Sequence, residues 1–185
     1  MNSPRQYERN WDVAREETRV PVGGLLAVLA FALACLGFHW LGDEGWVPLL
    51  DSANLALHEA GHPLVGIFSA RATVYGGTLF QLAFPLAAAG HFHRVANPSG
   101  VAASLVWVGE NLFNIARYMA DARAQDLPLV GNGDHDWAEI FGRWGVLHLD
   151  GRIAGLTRGI GVVLILGAVV WLFRRWLADR DHSAP

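Results

Sequence analysis

Residues 21–40 contain no charged side chain. As a helix such a stretch reaches about 30 Å, the hydrocarbon thickness of a bilayer. The averages point the same way: 52% of the residues are hydrophobic and 17% are charged, where a soluble domain carries about 25% charge. The mean hydropathy is +0.26. The expected fold class is an all-α membrane protein, a polytopic bundle of about five transmembrane helices in the lipid bilayer of a bacterial inner (cell) membrane. A cleaved signal peptide is the competing reading of the first segment, with Ala32-Leu33-Ala34 supplying small residues. The apolar run continues through Phe38 to Trp40, beyond a signal core of about 7–15 residues, and so favours a retained anchor.

The 185 residues suit one compact unit. Residues 1–20 read as a polar or interfacial lead-in, 21–176 as a single transmembrane domain with a polar loop at 122–150, and 177–185 as a tail. A formal net charge of −3 with no basic cluster gives no reason to expect a nucleic-acid partner. Cys35 is the only cysteine, which excludes an intramolecular disulfide.

Inside the second apolar segment stands His58-Glu59-Ala60-Gly61-His62-Pro63. On a helix His58 and His62 lie one turn apart on one face, so two imidazoles can reach one ion. Glu59 sits about 100° round the helix, where a carboxylate can move protons without itself binding the metal. That is the division of labour of zinc hydrolases, and Zn²⁺ is the expected cofactor. Asp51 or Ser52 can cap this helix, which is expected to run to about Ala70. Asp51, Asn54, His58, His62 and Ser69 share a sector of about 80°, a stripe too polar to face lipid. Pro63 removes one helical hydrogen bond, and Gly61 permits close approach of another helix.

Residues 73–80, with β-branched Thr73 and Val74 and the Gly76-Gly77 pair, are expected to turn, re-enter or extend briefly before helix resumes to about Gly90. His91 and His93 read as interfacial, because alternate residues diverge on a helix. After the turn Asn97-Pro98-Ser99-Gly100, with Ser99 as a candidate cap, a fourth helix becomes polar from Glu110. Asn111, Asn114, Tyr118, Asp121 and Glu110 share a sector of about 100°, a second stripe suited to facing the first. Asp136-Trp137-Ala138-Glu139 has the spacing of a capping box, with Asp136 as the cap. A final helix is expected from about Ile153 or Gly159 to Phe173.

Two histidines leave a catalytic zinc one protein ligand short. Asp121 is the first choice, since it shares the polar face of the fourth helix and is a hard oxygen ligand. His135 is second and Glu110 third, and Asp136 also lies within the polar loop. These residues resemble the site-2 protease family of intramembrane zinc metalloproteases. His58-Glu59-Ala60-Gly61-His62 matches that family's first motif, and Asn111-Leu112-Phe113-Asn114-Ile115 followed by Asp121 is similar to its second. Asn114 stands where the motif has proline and Ala122 where it has glycine. The resemblance covers residues 51–122. Residues 127–137 also resemble a segment of small uncharacterised bacterial membrane proteins.

What the resemblance implies is an endopeptidase cutting peptide bonds in or near membrane-spanning substrates, so a transmembrane or membrane-proximal peptide is the expected partner. Glu59 would shuttle the proton, and Asn111 or Asn114 would bind the substrate backbone or the developing oxyanion. Residues 74–80 would offer a β-like edge to an unwound substrate. A competing expectation is a non-proteolytic membrane subunit or adaptor keeping a structural or vestigial metal site.

Overall fold

A computed structural model describes residues 19–42, 45–130 and 134–181. The lead-in 1–18, Asp43-Glu44, the turn Gly131-Asn132-Gly133 and the end of the tail lie outside the described residues. Six α-helices follow in order: α1 Val22–Leu41, α2 Leu50–Gly66, α3 Thr73–Arg94, α4 Pro98–Ala120, α5 Asp136–Trp144 and α6 Asp150–Asp181. A 3₁₀ turn at Leu147–Leu149 joins α5 to α6.

Helix α1 buries Leu25, Val28, Ala32 and Cys35, spaced three or four residues apart along one face. That face packs with Ala102, Val106 and Phe113 of α4 and Ile165, Ala168 and Leu172 of α6. Its remaining surface leaves Leu26, Leu33 and Phe38 exposed, and α6 likewise exposes Leu156, Ile160 and Val163. Two helices are long and apolar enough to cross a membrane, α1 and the segment Leu147–Asp181 that contains α6. The expected bundle of five spans is therefore not what the fold shows by length and composition. Helix α2, at 17 residues, is short for a span, and polar residues such as Glu110 and Asn111 lower the apolarity of α4.

Two helix crossings are set by glycine. A methyl group added at Gly61 of α2 would run into the Gly76 carbonyl of α3, and one added at Gly76 would run into the Gly61 carbonyl. Gly109 of α4 and Gly161 of α6 meet in the same way, each with the other's carbonyl oxygen in reach of a built Cβ at 2.8 and 2.7 Å. The expected β-like or re-entrant segment at 73–80 is corrected by this packing. Residues 73–80 are the first turns of α3, and no strand occurs among the described residues. The Gly76-Gly77 pair serves a close helix contact, with no turn.

A second apolar cluster places the short helix α5. Trp137, Ile140 and Phe141 pack with Val74 of α3, Ile115, Ala116 and Met119 of α4, and Ala154 of α6. Gly145 ends α5 at φ 70°, the left-handed conformation that glycine adopts without strain. Helix α4 is capped by Asn97, whose side chain accepts from the Gly100 N–H at 2.8 Å. The expected cap Ser99 has no partner for its hydroxyl. Helix α2 starts at Leu50, and Asp51 turns its carboxylate back to accept from the Val47 N–H at 2.7 Å.

Candidate metal centre

One turn of α2 separates His58 from His62, and both imidazoles point towards the start of α5. Each ring is fixed at its inner nitrogen. His62 Nδ1 lies 3.0 Å from the Thr73 carbonyl oxygen. A carbonyl only accepts, so Nδ1 carries the hydrogen and Nε2 keeps a lone pair in the neutral ring. His58 Nδ1 lies 3.2 Å from Gln81 Oε1. The Gln81 amide nitrogen donates to Asn114 Oδ1 at 3.3 Å, which turns Oε1 to the histidine. His58 is seated against Gly77, where any Cβ would strike the imidazole ring.

Both outer nitrogens converge on one atom. His58 Nε2 is 2.9 Å and His62 Nε2 3.3 Å from Asp136 Oδ2. One donor atom from each of the three residues lies within 4.8 Å of the others, a group that can hold a metal ion. Two imidazole lone pairs and a carboxylate oxygen aimed at one point repel one another unless a proton or a cation lies between them. Two neutral nitrogens, one carboxylate oxygen and outer N–H groups tied to oxygen acceptors form a donor set that fits zinc, with room for a fourth ligand.

The arrival of Asp136 follows from the start of α5. His135 caps that helix, its Nδ1 accepting from the Ala138 N–H at 3.2 Å. Asp136, read from its spacing as the cap, is thereby released as the first helical residue and faces α2. Its own N–H donates to the Tyr118 hydroxyl at 3.1 Å, which ties α5 to α4. Burial pushes the Asp136 carboxyl upward, but the hydrogen bonds it accepts from His58 and His62 when Nε2 is protonated outweigh that and hold the group below its ordinary range. Burial holds the His135 imidazole below its ordinary value, consistent with a neutral ring that accepts at Nδ1.

Asp121, the first-choice third ligand, lies outside the group that His58 and His62 form with Asp136. Helix α4 ends at Ala120, so the helical wheel does not extend to residue 121. The Asp121 carboxylate turns into the following loop, accepting from the Asp126 N–H at 2.9 Å and the Leu127 N–H at 3.1 Å. His135, the second choice, spends its ring elsewhere: Nδ1 caps α5, and Nε2 sits 3.3 Å from Asp121 Oδ2. That contact has ion-pair distance without hydrogen-bond alignment, so Nε2 has no full partner.

Glu59 lines the cleft beside His58, partly exposed, as does Asn114. Asn111, expected at the site, is fully buried a turn away, where its amide donates to the Trp107 carbonyl at 3.1 Å and to Asn54 Oδ1 at 3.3 Å. Glu110 accepts from Asn54 in the same buried cluster at 2.8 Å. His91 and His93 are exposed near the end of α3 and take no part. Gln81 and Thr73 were missed. Gln81 carries a sequence signal, a single amide inside the apolar run Leu79-Phe80-Gln81-Leu82-Ala83-Phe84, whereas a backbone carbonyl such as that of Thr73 carries none.

Two cavities flank the group. One of about 330 Å³ reaches from His58 and Glu59 past Gln81 and Asn114. The other, of about 390 Å³, lies on the His62 and Asp136 side, and the two share His58, Glu59, Tyr118, Leu129 and Val130. Comparison with known proteins finds no matching family, no matching curated sequence and no matching solved structure.

Proposed function

We propose that this chain is a membrane-associated, zinc-dependent peptidase in which His58, His62 and Asp136 hold the ion and Glu59 is the general base. The observation that supports this most is the fixing of both histidines at Nδ1. It leaves two Nε2 lone pairs and one carboxylate oxygen converging on a point at the floor of an open cleft. A buried structural site would be closed by protein; here cavities lie on both sides.

Zinc, when bound, supplies Lewis acidity, lowering the pKa of water and polarising a carbonyl. Glu59 takes the proton of the attacking water and returns it to the leaving amine nitrogen. Asn114 has its carbonyl held by Gln81, so its amide N–H groups remain to donate to a substrate carbonyl. The Tyr118 hydroxyl accepts from the Asp136 N–H and keeps its own O–H to donate beside His58. Gln81 is a positioning residue, acting through His58.

The membrane setting is supported by the apolar side chains that α1 and α6 leave exposed, a surface that a bilayer would cover. The multi-pass bundle in a bacterial inner membrane, with a peptide in or beside the bilayer as substrate, belongs to the same proposal.

The decisive experiment measures zinc and hydrolysis together on the purified full chain. Near-stoichiometric zinc and peptide cleavage are expected, with Glu59→Gln keeping the zinc and losing the cleavage. Cleavage that survives Glu59→Gln removes the assigned base. Zinc bound tightly without any hydrolysis favours instead a non-proteolytic subunit with a structural metal.

A further inference from the structure

The smaller cavity is unlike its neighbour in chemistry. Its walls are largely apolar, with Trp46, Leu55, Ile115, Leu127 and Trp137 among them. Arg117 also lines it, one residue before Tyr118 on α4. Among the described residues Arg117 forms no ion pair and no hydrogen bond, and Glu59, the acid on the same cavity, is not paired with it. It is only partly exposed.

Beside apolar walls, a partly exposed guanidinium with no partner among the described residues keeps its donors for a ligand. The group that satisfies such a fork best is a carboxylate, bound through two parallel hydrogen bonds. The second cavity is lined by Asp134, Asp136, Glu139 and Arg143 and is polar throughout that wall. A peptide laid across the metal group would therefore have a polar side and a largely apolar side with a cation in its wall. A volume of about 330 Å³ lies at the small end of ligand pockets, room for a chain end more than for a passing chain.

We propose that Arg117 anchors the free α-carboxylate of a peptide whose apolar C-terminal residue fills this cavity, so that cleavage falls near the carboxyl end of the substrate. The proposal rests on the peptidase reading above, and its test is one of binding, so that the two fail separately. Loss of the peptidase reading would show as absent zinc or absent hydrolysis in the unaltered chain.

The test uses the zinc-loaded full chain carrying Glu59→Gln, so that no ligand is turned over, and titrates it calorimetrically with N-acetyl-leucyl-phenylalanine, the C-terminal amide of the same dipeptide, and hexyl phosphate. The free acid is expected to bind at least tenfold tighter than the amide. Adding Arg117→Gln should abolish that difference with zinc content unchanged, and Arg117→Lys should keep part of it. Equal binding of acid and amide, no measurable binding of either, or discrimination that persists in Arg117→Gln overturns the proposal. Tighter binding of hexyl phosphate than of the acid overturns it in favour of a lipid-type phosphate. Far-UV circular dichroism identifies a variant that fails to fold, and Arg117→Lys then carries the comparison.

Discussion

The stripe on α2 enters two polar clusters that differ in one respect. Towards the start of the helix Asp51 and Asn54 join Trp107, Glu110 and Asn111 of α4. There the Asn54 amide donates to Glu110 and to Asp51, and its oxygen accepts from Trp107 and Asn111. Towards the end of the helix His58 and His62 meet Asp136 of α5. The first cluster is sealed: Asp51, Asn54, Glu110 and Asn111 are each 2% exposed or less. The second borders two cavities and directs its free electron pairs at one another. Polar side chains within an apolar bundle thus stand in two separate settings, and access from the cavities tells them apart. A network sealed from solvent, whose hydrogen bonds run between α2 and α4, fastens helices, whereas acceptors that converge on a point beside open cavities suit a ligand.

The largest effects that would sharpen this contrast belong to the open cluster. His58→Ala, His62→Ala and Asp136→Ala should each lower zinc affinity by roughly a hundredfold or more, beyond the loss of about 10–100-fold typical of outer partners. Elemental analysis of dialysed protein reads this directly. Asp121→Ala should leave zinc stoichiometric, and a loss there as large as for Asp136→Ala would break the assignment. Asn54→Ala attacks the sealed cluster and should cost about 3 kcal/mol by stranding several buried partners, seen as an earlier thermal unfolding transition with zinc retained. If Asn54→Ala empties the metal group without destabilising the fold, the two clusters are one unit and the contrast fails.

Gln81→Ala comes next. Removing the acceptor at His58 Nδ1 should weaken zinc about tenfold with little change in melting, measured by competition with a chelator. His135→Ala is the mildest, about 1 kcal/mol for a lost helix cap, read as a small fall in the unfolding midpoint with zinc still bound. A zinc loss in His135→Ala comparable to that of His62→Ala would return His135 to the ligand set.

The helices themselves were legible from apolar runs and turn residues. The first was expected over 21–40 and forms over Val22–Leu41, and the His58/His62 pairing on one face holds. Local signals failed where tertiary packing decides. Gly76-Gly77 reads as a helix breaker, yet its lack of side chains is what lets α3 press against α2 and seat His58. The carboxylate that joins the two histidines has an adequate local explanation in the sequence: Asp136 followed by Glu139 has capping spacing, while His135, one position earlier, does the capping. Asp121 lies one residue past the end of α4, so the helical wheel that puts it on the polar face does not reach it. The α2 stripe meets α4 through Asn54 and through the ring contact of His58 with Tyr118, while the histidine nitrogens find Gln81, Thr73 and Asp136.

The Gly61–Gly76 crossing bears on which sequences this site tolerates. In a general His-Glu-x-x-His motif the two intervening positions are free, but here the second of them is occupied by a main chain from the neighbouring helix. A mutational scan should therefore find position 60, which is exposed, permissive, and position 61 closed to every residue but glycine. The crossing acts as a fixed pivot: α2 and α3 can tilt about it, but neither can slide along the other without driving a carbonyl into a Cα. The register between His62 and the Thr73 carbonyl that orients it is thus held by backbone against backbone, and does not depend on the rotamer of any packed side chain.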